Sequence, residues 1–277
     1  MSTTYSKPIQ VARDYYNSED ADNFYFHVWG GEDIHIGLYD GKNSIREASR
    51  ETVKAMAAKL SKLDSDVKIL DIGAGYGGAA RFLAAEYGCQ VTCLNLSEVE
   101  NERDRAMNKE QGLDHLIDVV DGAFEDLPFK DSEFDIIWSQ DAILHSSDRE
   151  KVLKEACRVL KKGGEFVFTD PMQDDNCPPD VLQPIYDRIH LSSLGSPGFY
   201  KEAGEKVGFK FVDFEDHTSQ LPTHYGNVLK EFEKREDELK GIVSEQYAAN
   251  MKKGLRHWVE GGNSGHLAWG IFLFKKV

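Results

Sequence analysis

VKILDIGAGYGG, residues 67–78, is a short apolar run that ends in an acid, Asp71, and breaks into glycines. A helix-like stretch, AARFLAAEYG, follows at once. A buried strand running through a glycine-rich turn into a helix is how a doubly wound α/β domain builds a nucleotide-like site. Gly73, Gly75 and Gly77 remove side chains where the backbone must bend or approach a ligand closely. The spacing alone does not choose the ligand, because Gly73, Gly75 and Gly78 also satisfy the dinucleotide G-x-G-x-x-G pattern. Asp71 tips the choice. A carboxylate there meets a pyrophosphate badly and an ammonium or hydroxyl well, which favours S-adenosylmethionine over NAD.

Working outward, strand and helix alternate. Strands are expected at 67–71, 90–95, 117–121, 134–139 and 164–170, and helices near 78–87, 98–111 and 148–161. Lys161-Lys162-Gly163-Gly164 reads as a helix stop. The alternation implies a Rossmann-like, doubly wound, mainly parallel α/β sheet with helices on both faces. Further strands at about 209–216 and in HLAWGIFLFKK (266–276) make seven, the C-terminal one antiparallel. Residues 1–66 read as a helical cap, interrupted by the aromatic-rich 23–41 and resuming as a helix over 44–63. After Pro171 the rhythm breaks into a helical lid at 174–200, with a charged helix across 226–253. The expectation is one domain over 1–277: cap 1–66, cofactor-binding core 67–170, and lid segments with closing strands at 171–277.

Composition narrows the partners. A net charge of −15 argues against nucleic acid, which calls for a basic face. No apolar run approaches the ~20 residues that span a bilayer, and the first residues lack a signal-peptide core. A cytoplasmic protein with neither membrane nor nucleic-acid partner is expected. Cys89, Cys93, Cys157 and Cys177 form no C-x-x-C pair, and the histidines show no H-E-x-x-H spacing, so no metal role is expected.

Ligands of open α/β sheets sit beyond the carboxyl ends of the strands. Those ends carry Asp71–Gly75, then Asn95-Leu96-Ser97, Asp121-Gly122-Ala123-Phe124, and Ser139-Gln140-Asp141 with His145 just beyond. The ordered motifs DIGAGYGG, NLS, DGAFEDLPFKDSEFDIIW and VLKKGG resemble the class I S-adenosylmethionine-dependent methyltransferases over about 67–170. Asn95 departs from that pattern, since many members carry Asp or Glu there. WSQDAILHS (138–146), the aromatic N-terminal segment and LRHWVEGGNSGHLAWGIFLF look, more narrowly, like sarcosine/dimethylglycine N-methyltransferases, relatives of the phosphoethanolamine methyltransferases.

The resemblance implies S-adenosylmethionine as methyl donor, S-adenosylhomocysteine as product, and a small glycine-derived amine as acceptor, ending at glycine betaine. It implies cofactor contacts from Asp71, Gly73 and Gly75, from Asn95 and Leu96 at the ribose, from Ala123 and Phe124 at the adenine, and from Gln140 near the methionine end. Ile36 and Gly37 match the piece that closes over the cofactor. Asp141 and His145 match a paired acid and imidazole, and Tyr25 a latch tyrosine. Another small amine such as phosphoethanolamine, or a lipid or sterol acceptor, is the alternative, although the phosphate-reading basic residues are not obvious here.

For the acceptor itself, Tyr25, Trp29, Tyr186 and Tyr200 are candidates for an aromatic wall around a methylated cation. Arg188 is the candidate for its carboxylate. Each has a plainer reading. Asp141 and His145 are four apart and also suit an intrahelical pair; Tyr25 and Trp29 suit core packing; Arg188 suits a solvated lid position.

Overall fold

The computed structural model describes residues 5–41, 44–189 and 191–277. In chain order the elements are α1 (Lys7–Tyr16), α2 (Glu19–Phe24) continuing into a π turn (Tyr25–Trp29), α3 (Ile45–Lys59), β1 (Lys68–Ile72), α4 (Gly78–Tyr87), β2 (Gln90–Asn95), α5 (Glu98–Glu110), β3 (Ile117–Asp121) and β4 (Phe134–Gln140). A 3₁₀ turn (Ile143–His145) leads to α6 (Arg149–Val159), β5 (Leu160–Thr169), β6 (Met172–Gln173), α7 (Gln183–Ile189), α8 (Pro197–Val207) and β7 (Phe209–Asp216). The chain ends with α9 (Gln220–Lys234), α10 (Glu236–Leu239), α11 (Glu245–Asn263), β8 (Leu267–Ala268) and β9 (Gly270–Lys276).

Seven strands form one sheet in the order β3-β2-β1-β4-β5-β9-β7. The five strands from β3 to β5 are mutually parallel, and β9 runs antiparallel between β5 and β7. The order reverses between β1 and β4, so a crevice opens at their carboxyl ends. Strand parity sorts the core. Ile69, Val91 and Ile136 point to one face with α3 and α4, while Leu70, Leu94 and Ile137 point to the other with α6 and α8. A third apolar cluster, with Phe24, Trp29, Ile185, Phe232, Met251 and Trp258, joins α2, the π turn, α7, α9 and α11 into a cap. No helix among the described residues is long and apolar enough to cross a membrane.

Four expectations need correction. The aromatic segment is not an interruption from its start, because residues 23–29 continue α2 through the π turn. Lys161–Gly164 does not stop a helix; α6 ends at Val159, and these residues form an irregularity inside β5, where register with β4 jumps from Phe134–Leu160 to Ile136–Glu165. The expected helix over 226–253 is three helices, parted at Arg235 and again around Gly241 (φ 82°), a conformation that favours glycine. The lid over 174–200 is shorter than expected, since α8 packs on α6 and β7 as part of the sheet's cover.

Candidate active site

The glycine turn shapes the floor of the site. Gly73 (φ 83°) donates its N–H to the Leu94 carbonyl at 2.7 Å, and a Cβ there would sit 2.4 Å from that of Ala142. Gly75 (φ 54°) passes so close to Ile34 that a Cβ would meet its side chain at 3.0 Å. The backbone therefore lies bare beneath a cavity of about 190 Å³ at the switch point. The floor is Gly73, Gly75, Asn95-Leu96-Ser97, Ala123-Phe124-Glu125 and Gln140-Asp141-Ala142. The roof comes from α1 through Pro8, Ala12, Tyr15 and Tyr16, and the far wall from Tyr25, Trp29, His145, Arg188, Tyr225 and Trp258.

Five expected site residues lie outside this cavity. Asp71 is 3% exposed and borders a smaller crevice behind the turn, with Asp33, His35, Gly73 and Gln140. Burial, then the charges of Asp104 and Asp33, push its carboxyl well above the usual range. Gly73 and Gln140 border both spaces. Ile36 and Gly37 support the site from behind: the Ile36 N–H donates to Asp141 Oδ2 at 2.6 Å, and the Gly37 N–H to His224 Nδ1 at 3.2 Å. Tyr186 donates to Gln173 Oε1 at 3.0 Å. Tyr200 belongs to the core, packed between Phe168 and Phe272 with its hydroxyl on buried Asp170, so it builds no wall around a ligand.

Asp141 and His145 are both at the site, yet they are not a pair. The segment after β4 is a bend and a 3₁₀ turn rather than an α-helix, so the four-residue spacing does not stack the two side chains. Asp141 takes a left-handed φ of 51°, which Asp tolerates better than most residues. Both its oxygens accept bonds, from Ile36 N–H and, at 2.8 Å, from the Trp269 indole. The acid thus ties the N-terminal segment to β4 and to the residue preceding β9. His145 Nε2 instead lies 2.7 Å from the Tyr16 hydroxyl. The tyrosine on the imidazole is Tyr16, and Tyr25, the expected latch, stacks on Tyr16 with ring centroids 5.7 Å apart.

The turn carrying His145 is held from below. Asp170 Oδ1 accepts the Leu144 N–H at 2.9 Å, and Arg149 Nη2 donates to the carbonyls of Leu144 and Ser193. Burial, then the guanidiniums of Arg149 and Arg188, lower the imidazole to about 4, so His145 is neutral at pH 7.

Arg188 is the one lysine or arginine that lines the cavity among the described residues. Its Nη2 lies 3.1 Å from the Met251 sulfur, its Nε is buried without a partner, and no carboxylate among the described residues pairs with it. Burial works against its charge, while Tyr15, Tyr25, Tyr247 and Tyr225 support it. Tyr15 bonds Tyr247 at 2.9 Å and approaches Tyr25 at 3.4 Å, so a cluster of hydroxyls and ring faces surrounds the cation.

Glu100 was not expected. It projects from the first turn of α5 into the cavity, accepting from the Asn95 amide at 2.8 Å through Oε2, while Oε1 is buried without a partner. The signal for it was the amide at position 95, where an acid is usual: the carboxylate is supplied from the next element instead. Tyr16 and Trp258 carried no comparable signal.

Residues 70–168 match the model of a methyltransferase domain. Over the full length of both chains, the protein is 61% identical to the sarcosine/dimethylglycine N-methyltransferase of Halorhodospira halochloris. A crystal structure from Galdieria sulphuraria, provisionally assigned as a sarcosine dimethylglycine methyltransferase, superposes with a TM-score of 0.90 at 45% identity, covering 95% of this chain and 98% of that one. A phosphoethanolamine N-methyltransferase of Haemonchus contortus shares the fold, with a TM-score of 0.84 at 18% identity over 98% of this chain and 60% of that one. The seven-stranded core, the site at its switch point and the full-length match agree: the chain is a methyltransferase and belongs to the sarcosine/dimethylglycine N-methyltransferase family.

Proposed function

We propose that the protein transfers methyl from S-adenosylmethionine to the nitrogen of sarcosine, dimethylglycine or both, ending at glycine betaine, a compatible solute. The observation that carries this reading is Arg188, a part-buried guanidinium facing an aromatic cavity with no carboxylate among the described residues to neutralise it. A guanidinium left free in such a place suits a substrate carboxylate, which it can hold through two hydrogen bonds. A phosphate ester would call for further cations, and Arg188 stands alone on the described lining.

The residues present fit the cofactor. The bare turn at Gly73 and Gly75 leaves the room that a Cβ would fill. Asn95 and Glu100 offer an amide and an unsatisfied carboxylate oxygen suited to ribose hydroxyls, and Ala123 and Phe124, on the same lining, offer apolar surface suited to an adenine. Gln140 Nε2, buried and without a partner, suits the methionine end, with the Asp71 crevice just behind. When bound, S-adenosylmethionine supplies an electrophilic methyl that an amine displaces in line.

The protein's share is alignment, exclusion of water under α1, and control of protonation. The nucleophile must be the free amine. The burial and the two guanidiniums that hold His145 neutral act in the same sense on a substrate ammonium, lowering its pKa. His145, with Tyr16 fixing one nitrogen, is placed to take or relay the proton that leaves. The tyrosine and tryptophan faces favour a methylated nitrogen by cation–π attraction.

Labelled methyl transfer to glycine, sarcosine, dimethylglycine and phosphoethanolamine, assayed in parallel, tests the reading. Transfer to sarcosine or dimethylglycine is expected; transfer to phosphoethanolamine alone, or to no glycine derivative, overturns it. His145→Ala is expected to lower kcat by about 10²-fold with cofactor affinity unchanged.

A further inference from the structure

Helix α11 carries a glycine at position 254, well inside its span of Glu245–Asn263. An interior glycine disfavours a helix by about 1 kcal/mol relative to alanine, so it calls for a reason. The backbone does not supply one, since Gly254 is not among the left-handed residues. Arg188 does. A Cβ at 254 would lie 2.3 Å from Arg188 Nε, 2.4 Å from its Cδ and 2.5 Å from its Nη1. The arginine is laid directly across the helix backbone there. One turn earlier, Met251 brings its sulfur to 3.1 Å from Nη2. Leu255 and Trp258, on the same stretch of α11, line the cavity beside it.

Glycine and methionine together make a notch with two properties. The missing side chain lets the guanidinium sink against the helix rather than stand out into the cavity. The thioether orients it through a soft, uncharged acceptor and so leaves its charge unneutralised. A carboxylate in place of the sulfur would form an ion pair and occupy the fork.

We propose that the Met251–Gly254 notch positions Arg188 as the receptor for the substrate carboxylate and thereby sets a preference for amino acids over amines that lack one. This rests on the assignment of Arg188 made above. The notch acts through the arginine and touches no reacting atom, so Met251 and Gly254 are positioning residues.

The test compares dimethylglycine with dimethylethanolamine, the same tertiary amine with a hydroxymethyl group in place of the carboxylate. In Gly254→Ala, the KM for dimethylglycine is expected to rise at least about tenfold, with kcat within about twofold and the calorimetric Kd for S-adenosylmethionine unchanged. The kcat/KM ratio of dimethylglycine to dimethylethanolamine should fall by a similar factor. Met251→Glu, which keeps the glycine but pairs the arginine internally, should shift both quantities the same way, and it provides a second reading if the alanine variant does not fold. Unchanged KM and ratio in these variants, with Arg188→Ala still raising KM, overturns the notch and leaves the arginine assignment standing. An unchanged KM in Arg188→Ala removes both.

Discussion

Glu100 holds Asn95 with one carboxylate oxygen and leaves the other buried and free, and burial raises its pKa to about 7. A ribose hydroxyl donating to that oxygen favours the ionised form, so binding the cofactor should be easier once the proton has left. The affinity for S-adenosylmethionine is therefore expected to increase several-fold between about pH 6 and pH 8, read as calorimetric Kd. In Glu100→Gln the affinity should be lower at the higher pH and the dependence should vanish; a slope that survives the substitution would remove Glu100 from the ribose site. At this scale the sequence was partly readable. The amide at 95 signalled that something else must supply the acid. The contact of Tyr16 with His145 was not signalled, because it depends on how the chain turns at Asn17 and Ser18 between α1 and α2. Tyr200 misled for a similar reason: an aromatic residue on a helix after β5 suits a ligand wall or a core, and only its packing against Phe168 decides.

Among the elements, α1 is the one whose position matters most to the site and is least secured by burial. None of its ten residues is buried, yet six of them line the cavity: Pro8, Ile9, Val11, Ala12, Tyr15 and Tyr16. Polar ties hold it down. Arg13 Nε donates to Glu98 Oε1 at 2.9 Å, the Asn17 amide donates to Glu98 Oε2 at 2.7 Å, and Ser97 donates to Asn17 at 2.8 Å. Glu98 opens α5 directly after the Asn95-Leu96-Ser97 edge of the cavity, so roof and floor share one anchor. Partly exposed pairs of this kind contribute about 0.2–1 kcal/mol, too little to change global stability much but enough to shift a lid. In Glu98→Ala, hydrogen exchange at the α1 amides should accelerate while that of β1 and β4 is unchanged, with a several-fold higher KM for the amine. Unaltered α1 exchange would mean that Tyr15 and Tyr16 alone hold the roof. The parallel core was readable from alternation because each strand and helix buries its own apolar face. The cap was less so: its charged run could not show that Gly241 divides it, and Lys161–Gly164 carried a helix-stop pattern that serves a strand irregularity instead.

At the scale of the whole molecule, buried ionisable groups outweigh surface pairs in setting the pH response. Glu100 and Asp170 are both raised to about 7 by burial, from ordinary values of 4.5 and 3.8. A raised carboxyl contributes stability that is fully present below its unfolded pKa and is lost as pH rises through the folded one. His145 and His224 run the other way. Burial lowers them to about 4 and about 3 from 6.5, so they destabilise the fold as pH falls through the unfolded value. From about pH 5 to 6 the folded chain holds nearly two extra protons on these two acids and lacks nearly two on the histidines, so these four slopes nearly cancel, while the raised carboxyls of Asp71, Asp104, Glu125 and Asp141 add a loss of stability with rising pH. Above about pH 6.5 the histidine contribution fades while the acids are still losing protons, so stability declines. The net charge of −15 adds surface repulsion that deepens with pH, but salt screens it. The melting temperature of the ligand-free protein is therefore expected to decline only gently between about pH 5 and 6 and to fall by a further few degrees by about pH 8. High salt should raise the whole curve and leave the decline in place, because the responsible groups are buried. A decline abolished by salt would place its origin on the surface, and a melting temperature that climbs steadily to pH 8 would mean that these buried carboxyls are ionised throughout.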